Sequence, residues 1–128
     1  MPQRNPELFL NYTAGGAITE KRFVKFGAGD RLVVQAAAAT DAIIGVNDLT
    51  VATDERPDVC LSGIFPITYG GTVTRGDPLT TDSSGRAITA TAAAGANVRI
   101  QGFAMESGVV GDLGSIRLAP GFFQGAAT

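Results

Sequence analysis

Hydrophobic and polar residues alternate over short stretches of this chain and form no long helical runs. The clearest stretch is residues 58–61, where alternation points Val59 and Leu61 to one side and Asp58 and Cys60 to the other. Glycine, aspartate and serine separate such stretches, and these residues are typical of tight turns between strands. The pattern therefore predicts an all-β fold of short strands.

The strand pattern occurs twice along the chain. The segment GGAIT at residues 15–19 recurs as GGTVT at residues 70–74, an offset of 55 (70 − 15). Later in the repeat the offset grows to 57 (102 − 45), where Gly45 aligns with Gly102. Each copy contains a hairpin turn between its first two strands. Two copies are too few for a solenoid, so we expect them to pair as halves of one small β-barrel or β-tulip.

Alanine-rich tracts at residues 36–39 and 92–94 are the feature that most favours helix. Glycine, threonine and asparagine lie close to the tracts and leave no room for a helix of three turns. We therefore interpret both tracts as loops or strand edges.

The repeat divides the chain into three segments. Residues 1–13 precede it and are predicted to form an extended N-terminal arm. Residues 14–121 are predicted to form the duplicated β domain, with repeat one at 15–63 and repeat two at 70–121. Residues 122–128 are left as a short C-terminal tail.

Composition and charge exclude several classes of function. The chain has 17 glycines, no histidine and a net charge of −2. Without histidine, the usual zinc sites and the Ser-His-Asp and Cys-His catalytic arrangements cannot be built. No basic run is available to neutralise phosphates, so we expect no nucleic-acid partner. No apolar run approaches the ~20 residues that cross a bilayer, so we expect no membrane partner.

Side chains capable of chemistry are few, and each has a structural interpretation. Asp54-Glu55 with Asp58 is the main acidic cluster, and neighbouring acids in a turn are more typical of a solvated loop than of a glycosidase pair. The aspartates of the hairpin turns lack the final glutamate of a Ca²⁺ loop and are expected to accept hydrogen bonds from turn amides. Cys60 has no histidine partner and is expected to be a structural thiol. We assign no catalytic residue, metal site or cofactor.

Several longer motifs carry a resemblance to a known family. They are GGAITEKRFVKFG, ATDAIIGV, GGTVTRGDPLTTDSSGRA, RIQGFAMESG and IRLAPG, which together span most of residues 14–121. In this order they resemble the phage capsid cement or decoration proteins, a family long described only as a domain of unknown function. The second copy is also loosely similar to the head-stabilising protein of phage lambda.

The resemblance implies a structural virion protein and not an enzyme. Such a protein is made in the host cytoplasm, binds the major capsid protein on the outer surface of the capsid and bridges neighbouring capsomers. Members of the family are typically β-barrels or β-tulips that act as homotrimers or homodimers, and they have no catalytic residues to carry over. A head-fibre or surface-binding module that recognises host carbohydrate is the alternative. A small enzyme is a third possibility, which the missing histidine disfavours.

The two ends of the chain are the candidate contact segments, because they lie outside the duplicated unit. Arginine and aromatic residues are favoured in the buried centres of interfaces, and terminal apolar residues outside a core often mark a contact. The residues predicted to contact the capsid or a neighbouring subunit are Arg4, Leu8, Phe9, Tyr12, Phe122 and Phe123.

Overall fold

The computed structural model describes residues 2–125, and these form ten β-strands and no helix. The prediction of an all-β fold is confirmed. No helix that could span a membrane occurs among the described residues. The strands are β1 (Asn5–Asn11), β2 (Thr13–Ala14), β3 (Phe23–Phe26), β4 (Leu32–Gln35), β5 (Ile43–Asn47), β6 (Asp58–Thr68), β7 (Pro78–Thr81), β8 (Ala87–Thr89), β9 (Asn97–Ala104) and β10 (Leu113–Gln124).

All ten strands belong to one mixed sheet. Its order is β2-β4-β3-β5-β6-β10-β9-β7-β8, and β1 also pairs with β6. The strand pairs are antiparallel except for β2 with β4. Gly63 of β6 pairs with Pro6 of β1 and with Leu118 of β10, so both edges of β6 are used at this point. β6 is therefore the strand that joins the two halves of the molecule.

The sheet does not close into the predicted barrel. Its end strands, β2 and β8, are two and three residues long and do not pair with each other. Each stays within its own half of the chain, because β2 pairs with β4 and Ala87 of β8 forms the matching parallel bridge with Tyr69. The expectation of closure was wrong because each end strand pairs with residues of its own half and not with the other end strand.

The strands recur with the spacing read from the sequence. β3 and β7 begin at Phe23 and Pro78, 55 residues apart (78 − 23), and each forms a hairpin with the next strand. β5 and β9 end at Asn47 and Ala104, 57 residues apart (104 − 47). The alanine-rich tracts lie in the connections that precede β5 and β9, outside regular structure.

The first and last strands differ from the predicted segment boundaries. β1 pairs with the first half of β6, so residues 5–11 lie in the sheet and not in a free arm. In the same way, the second half of β6 pairs with β10. β10 runs through Gln124, past the predicted start of the tail, because residues 121–124 pair with β9. Residue 1 of the arm and residues 126–128 of the tail lie outside the described residues.

Two structural units follow from this pairing. The first unit is β1 to β5 with the first half of β6, and the second unit is the second half of β6 with β7 to β10. A second-unit residue corresponds to the first-unit residue 55 positions earlier up to β8, and 57 positions earlier in β9 and β10.

Two clusters of buried apolar residues lie on opposite faces of β6. Neighbouring residues of β6 alternate between the two clusters. Cys60 belongs to the first cluster, whereas Val59 and Leu61 pack in the second. This is the alternation that the sequence predicted. The first cluster draws on both units and includes Phe23, Val46, Cys60, Phe65, Tyr69, Leu79 and Ile116. The second is confined to the first unit and contains Ala14, Ile18, Val24, Val33 and Val59.

Candidate interaction surface

The six residues predicted to make contacts fall into two groups in the structure. Arg4, Phe9 and Tyr12 pack against other parts of the same chain. Leu8, Phe122 and Phe123 have large solvent-exposed fractions, of 46%, 66% and 38%.

Arg4 fastens the start of the chain to the first unit. Its guanidinium donates two hydrogen bonds to the Asp48 carboxylate, from Nη1 at 3.2 Å and from Nη2 at 3.1 Å. The same guanidinium lies 4.5 Å from the centre of the Phe65 ring, within the range of a cation–π interaction. Lys21 Nζ lies 2.8 Å from Asp48 Oδ1 and completes the cluster.

Asp48 is held ionised by this cluster. Burial on its own would raise the pKa of the Asp48 carboxyl, but hydrogen bonds from Arg4 and Lys21 outweigh burial and lower the pKa below its ordinary value. Asp48 is therefore a structural anion, and the charge of Arg4 is partly neutralised within the chain.

Phe9 and Tyr12 contribute to the two cores. The Phe9 ring meets the Phe65 ring edge to face, with centroids 5.5 Å apart and planes at 78°. Phe9 packs against the first cluster, and Tyr12 packs against the second. Phe9 of β1 therefore covers part of the first cluster, Tyr12 just after β1 covers part of the second, and both side chains are half-buried.

The exposed apolar residues lie elsewhere on β1 and on β10. On β1, Leu8 and Leu10 are about equally exposed. On β10, Phe122 lies directly across from Arg99 of β9, whose guanidinium is 5.1 Å from the Phe122 ring centre. Phe123 lies across from Val98. The end of the β9–β10 pair therefore presents two aromatic rings at the surface.

The sequence did not identify β9, the strand paired with the end of β10, as part of the contact surface. Arg99 and Phe103 on β9, and Arg117 on β10, are also accessible on this part of the sheet. The signal that could have found Phe103 and Arg117 is the 57-residue offset, because it aligns them with Val46 and Cys60, which are both buried.

Asp82 and Asp77, two of the aspartates considered for metal binding, accept hydrogen bonds from neighbouring groups of the chain. Asp82 Oδ1 accepts hydrogen bonds from the amides of Ser84 and Arg86, each at 2.8 Å. Asp77 Oδ2 accepts from the Thr74 amide and from the Thr89 hydroxyl, each at 2.9 Å. Within residues 2–125, no group of three potential ligands is placed to hold a metal ion.

Cys60 and the acidic loop also have structural surroundings. The Cys60 thiol is fully buried and donates to the Ser62 carbonyl at 3.3 Å, and burial raises its pKa. In the loop, Glu55 Oε1 accepts from the Ala52 amide and Asp58 Oδ1 from the Asn11 side chain. A thiol whose pKa is raised is a poor nucleophile, and Glu55 and Asp58 each accept a hydrogen bond from another part of the chain.

Comparison with known proteins places the chain in a family. The model of the phage cement protein family matches residues 3–118, nearly the whole of the sheet. The chain belongs to the phage cement protein family. This cement protein is therefore a capsid-associated structural component of a phage, as the sequence motifs indicated.

The fold has a counterpart among solved structures. The cement protein is similar to the crystal structure of the N base of head fiber gp8.5 from bacteriophage phi29, with a TM-score of 0.68. The similarity covers 88% of this chain and 93% of the phi29 chain at 19% sequence identity, so it shows a shared fold. No curated protein sequence matches the chain.

Proposed function

We propose that this cement protein binds the major capsid protein on the outer surface of the assembled capsid and bridges neighbouring capsomers. It stabilises the shell as a structural subunit and catalyses no reaction. Membership of the phage cement family supports attachment to the capsid. The surroundings of Cys60 and of the acidic loop favour a non-catalytic role.

The exposure of apolar residues on the first and last strands is the observation that carries the proposal. Leu8 on β1 and Phe122 and Phe123 on β10 were selected from the sequence as contact residues, and all three leave a large fraction of their surface in water. Aromatic residues such as Phe122 and Phe123 are enriched at interfaces relative to the rest of a protein surface. Complete burial of a large apolar side chain contributes roughly 1.5–3 kcal/mol, so covering the exposed 38–66% of these three would contribute roughly 0.6–2 kcal/mol each.

Homo-oligomerisation as a trimer or a dimer would strengthen this attachment. Several weak contacts made at the same time by linked subunits bind far more tightly than one contact alone. A trimer fits a threefold position on a capsid and a dimer fits a twofold position. Bridging between capsomers follows if the subunits of one oligomer touch different capsomers.

Capsids that lack this protein provide the direct test. Purified protein is added to such heads, and the bound fraction is measured by sedimentation while DNA release on heating is followed with a dye. We expect binding and a higher release temperature. A double substitution, Phe122→Ser with Phe123→Ser, should weaken both effects, whereas Phe26→Ser on the β3–β4 hairpin should change neither, although Phe26 is 47% exposed. Absence of wild-type binding would disprove attachment, and an unchanged release temperature would disprove stabilisation.

A head-fibre module that recognises host carbohydrate is a second candidate function. The similarity to the N base of the phi29 head fiber favours it, because that protein is part of a fibre. A glycan array with the purified protein distinguishes the two functions. Glycan binding without affinity for heads would favour the fibre module, and affinity for heads without glycan binding would favour the cement subunit.

A further inference from the structure

The same strand positions are buried in the first unit and exposed in the second. The fraction exposed rises from zero at Val46 to 38% at Phe103, 57 residues later (103 − 46). Two pairs related by this offset show the change: Val46 and Phe103, and Cys60 and Arg117. The first unit therefore has a covered face whose counterpart in the second unit is left open.

The open face is formed by cross-strand neighbours on β9 and β10. Phe103 pairs directly with Arg117, and Arg99 pairs directly with Phe122, so the members of each pair lie side by side. Arg99 and Phe103 lie four residues apart on β9, so they and their partners Phe122 and Arg117 face the same side of the sheet. We call Arg99, Phe103, Arg117 and Phe122 the open face.

The charge of the open face is positive on a chain that is negative overall. Arg99 and Arg117 have no carboxylate within 4.0 Å among residues 2–125. Glu7 lines the same groove as Arg117 but lies beyond ion-pair distance. Two free guanidinium groups beside two exposed aromatic rings form a surface complementary to carboxylates set among apolar groups.

The hydrogen bonds by which the first unit holds the second unit cannot be repeated between the second unit and another copy of this chain. In the first unit, Arg22 Nη1 and Gln35 Nε2 donate to the Ser84 carbonyl at 2.8 and 2.9 Å, and the Phe23 amide donates to the Gly85 carbonyl at 2.8 Å. These bonds hold the β7–β8 hairpin turn. The residues 55 positions later are Asp77, Ala90 and Pro78, which offer none of the three donors. The turn of another copy would find no equivalent partners there.

We propose that the open face binds an acidic, partly apolar patch of the capsid shell. Phe103 and Phe122 would bury apolar surface, and Arg99 and Arg117 would pair with carboxylates of the capsid protein. This inference rests on the proposed attachment to capsids and names the surface and the partner chemistry.

Charge reversal on the open face tests the inference. The variant carrying Arg99→Glu and Arg117→Glu is added to heads that lack the protein, and bound protein is measured at low and at physiological salt. We expect an affinity lower by about tenfold or more, since each reversed charge replaces attraction by repulsion. We also expect added salt to weaken wild-type binding and to strengthen binding of the variant, because salt screens attraction in the first and repulsion in the second. The matched control Arg31→Glu reverses an exposed charge on the β3–β4 hairpin and should bind like wild type.

Two further measurements make the outcomes distinct. Thermal unfolding shows whether the variant is folded, and Arg99→Lys with Arg117→Lys should retain most of the binding because the charges remain. Size-exclusion chromatography with light scattering reports whether the charge reversal changes the oligomeric state. Wild-type binding that the reversal leaves intact would overturn the inference and preserve the proposed function. A reversal that only dissociates an oligomer would assign the face to a second copy and also overturn the inference. Absence of wild-type binding would overturn both.

Discussion

A glycine at position 45 allows β5 to approach β6 more closely than any other residue would. A Cβ atom added at Gly45 would lie 2.1 Å from the Cys60 carbonyl oxygen and 3.0 Å from Val59 Cγ1. The Cys60 oxygen is backbone of a buried strand and cannot rotate away. The φ angle of Gly45 is not in the left-handed region, so the effect of Gly45→Ala comes from this contact alone.

The size of the effect follows from the distance. Ordinary van der Waals contact begins at 3.4 Å, so β5 and β6 would have to separate by more than about 1 Å. That displacement would disrupt the pairing of Val46 with Cys60 and of Asn47 with Val59. Overpacking a core costs about 1–3 kcal/mol and occasionally more, and a backbone shift belongs at the upper end. We expect about 3 kcal/mol, or a melting temperature lower by roughly 10 °C for a chain of this length.

Thermal unfolding followed by circular dichroism, with urea unfolding for the free energy, measures this effect. Gly16→Ala is the matched control, because an added Cβ would meet no atom within 4 Å and the backbone is not left-handed. The control should stay within about 0.5 kcal/mol of wild type. If Gly45→Ala melts within about 2 °C of wild type, the close approach of the two strands does not exist and the reasoning is refuted.

Three further predictions concern the two units and the buried groups. Phe65→Ala should cost about 4 kcal/mol in urea unfolding and Phe122→Ala less than about 0.5 kcal/mol, because Phe65 is fully buried and Phe122 is 66% exposed. Equal costs would contradict this difference in burial. The pKa of Asp48 is lowered in the folded state, so its contribution is present above the ordinary value of 3.8 and is lost as pH falls below it. The gap in melting temperature between wild type and Asp48→Asn should therefore narrow in acid, and a constant gap would count against the cluster. The Cys60 thiol should react with a thiol reagent only over the urea range in which the protein unfolds, and rapid reaction in native buffer would show that it is accessible.

The elements that could be predicted from the sequence are those whose signals are local. The hairpins at β3–β4 and β7–β8 are bounded by glycine- or aspartate-containing turns and were found from them. The alignment of Gly45 with Gly102 marked two positions where β-strands approach closely. An added Cβ would lie 2.1 Å from the Cys60 oxygen in one unit and 1.9 Å from the Arg117 oxygen in the other.

The role of β1 could not be predicted, because its contacts are distant in sequence. Alternating leucines around Phe9 suit an arm that reaches a neighbour equally well as a strand within the sheet. The deciding contact is the one between Phe9 and Phe65, which are separated by 56 residues (65 − 9). The absence of closure could not be predicted for the same reason. Whether two short end strands pair with each other does not affect the hydrophobic pattern of either strand.

The side chains at equivalent positions of the two units differ in a way that indicates a binding role for the second unit. A face that is covered in one copy and open in the other should become more polar in the open copy, because exposed apolar groups gain nothing from water. Cys60 has a charged counterpart in Arg117, as this argument requires. At the other position the opposite holds, since Val46 corresponds to the larger and exposed Phe103. A surface that combines arginine with aromatic rings has the composition of the energetic centre of an interface. The second unit therefore differs from the first at the open face. A partner bound there would bury positions that are already buried within the chain in the first unit.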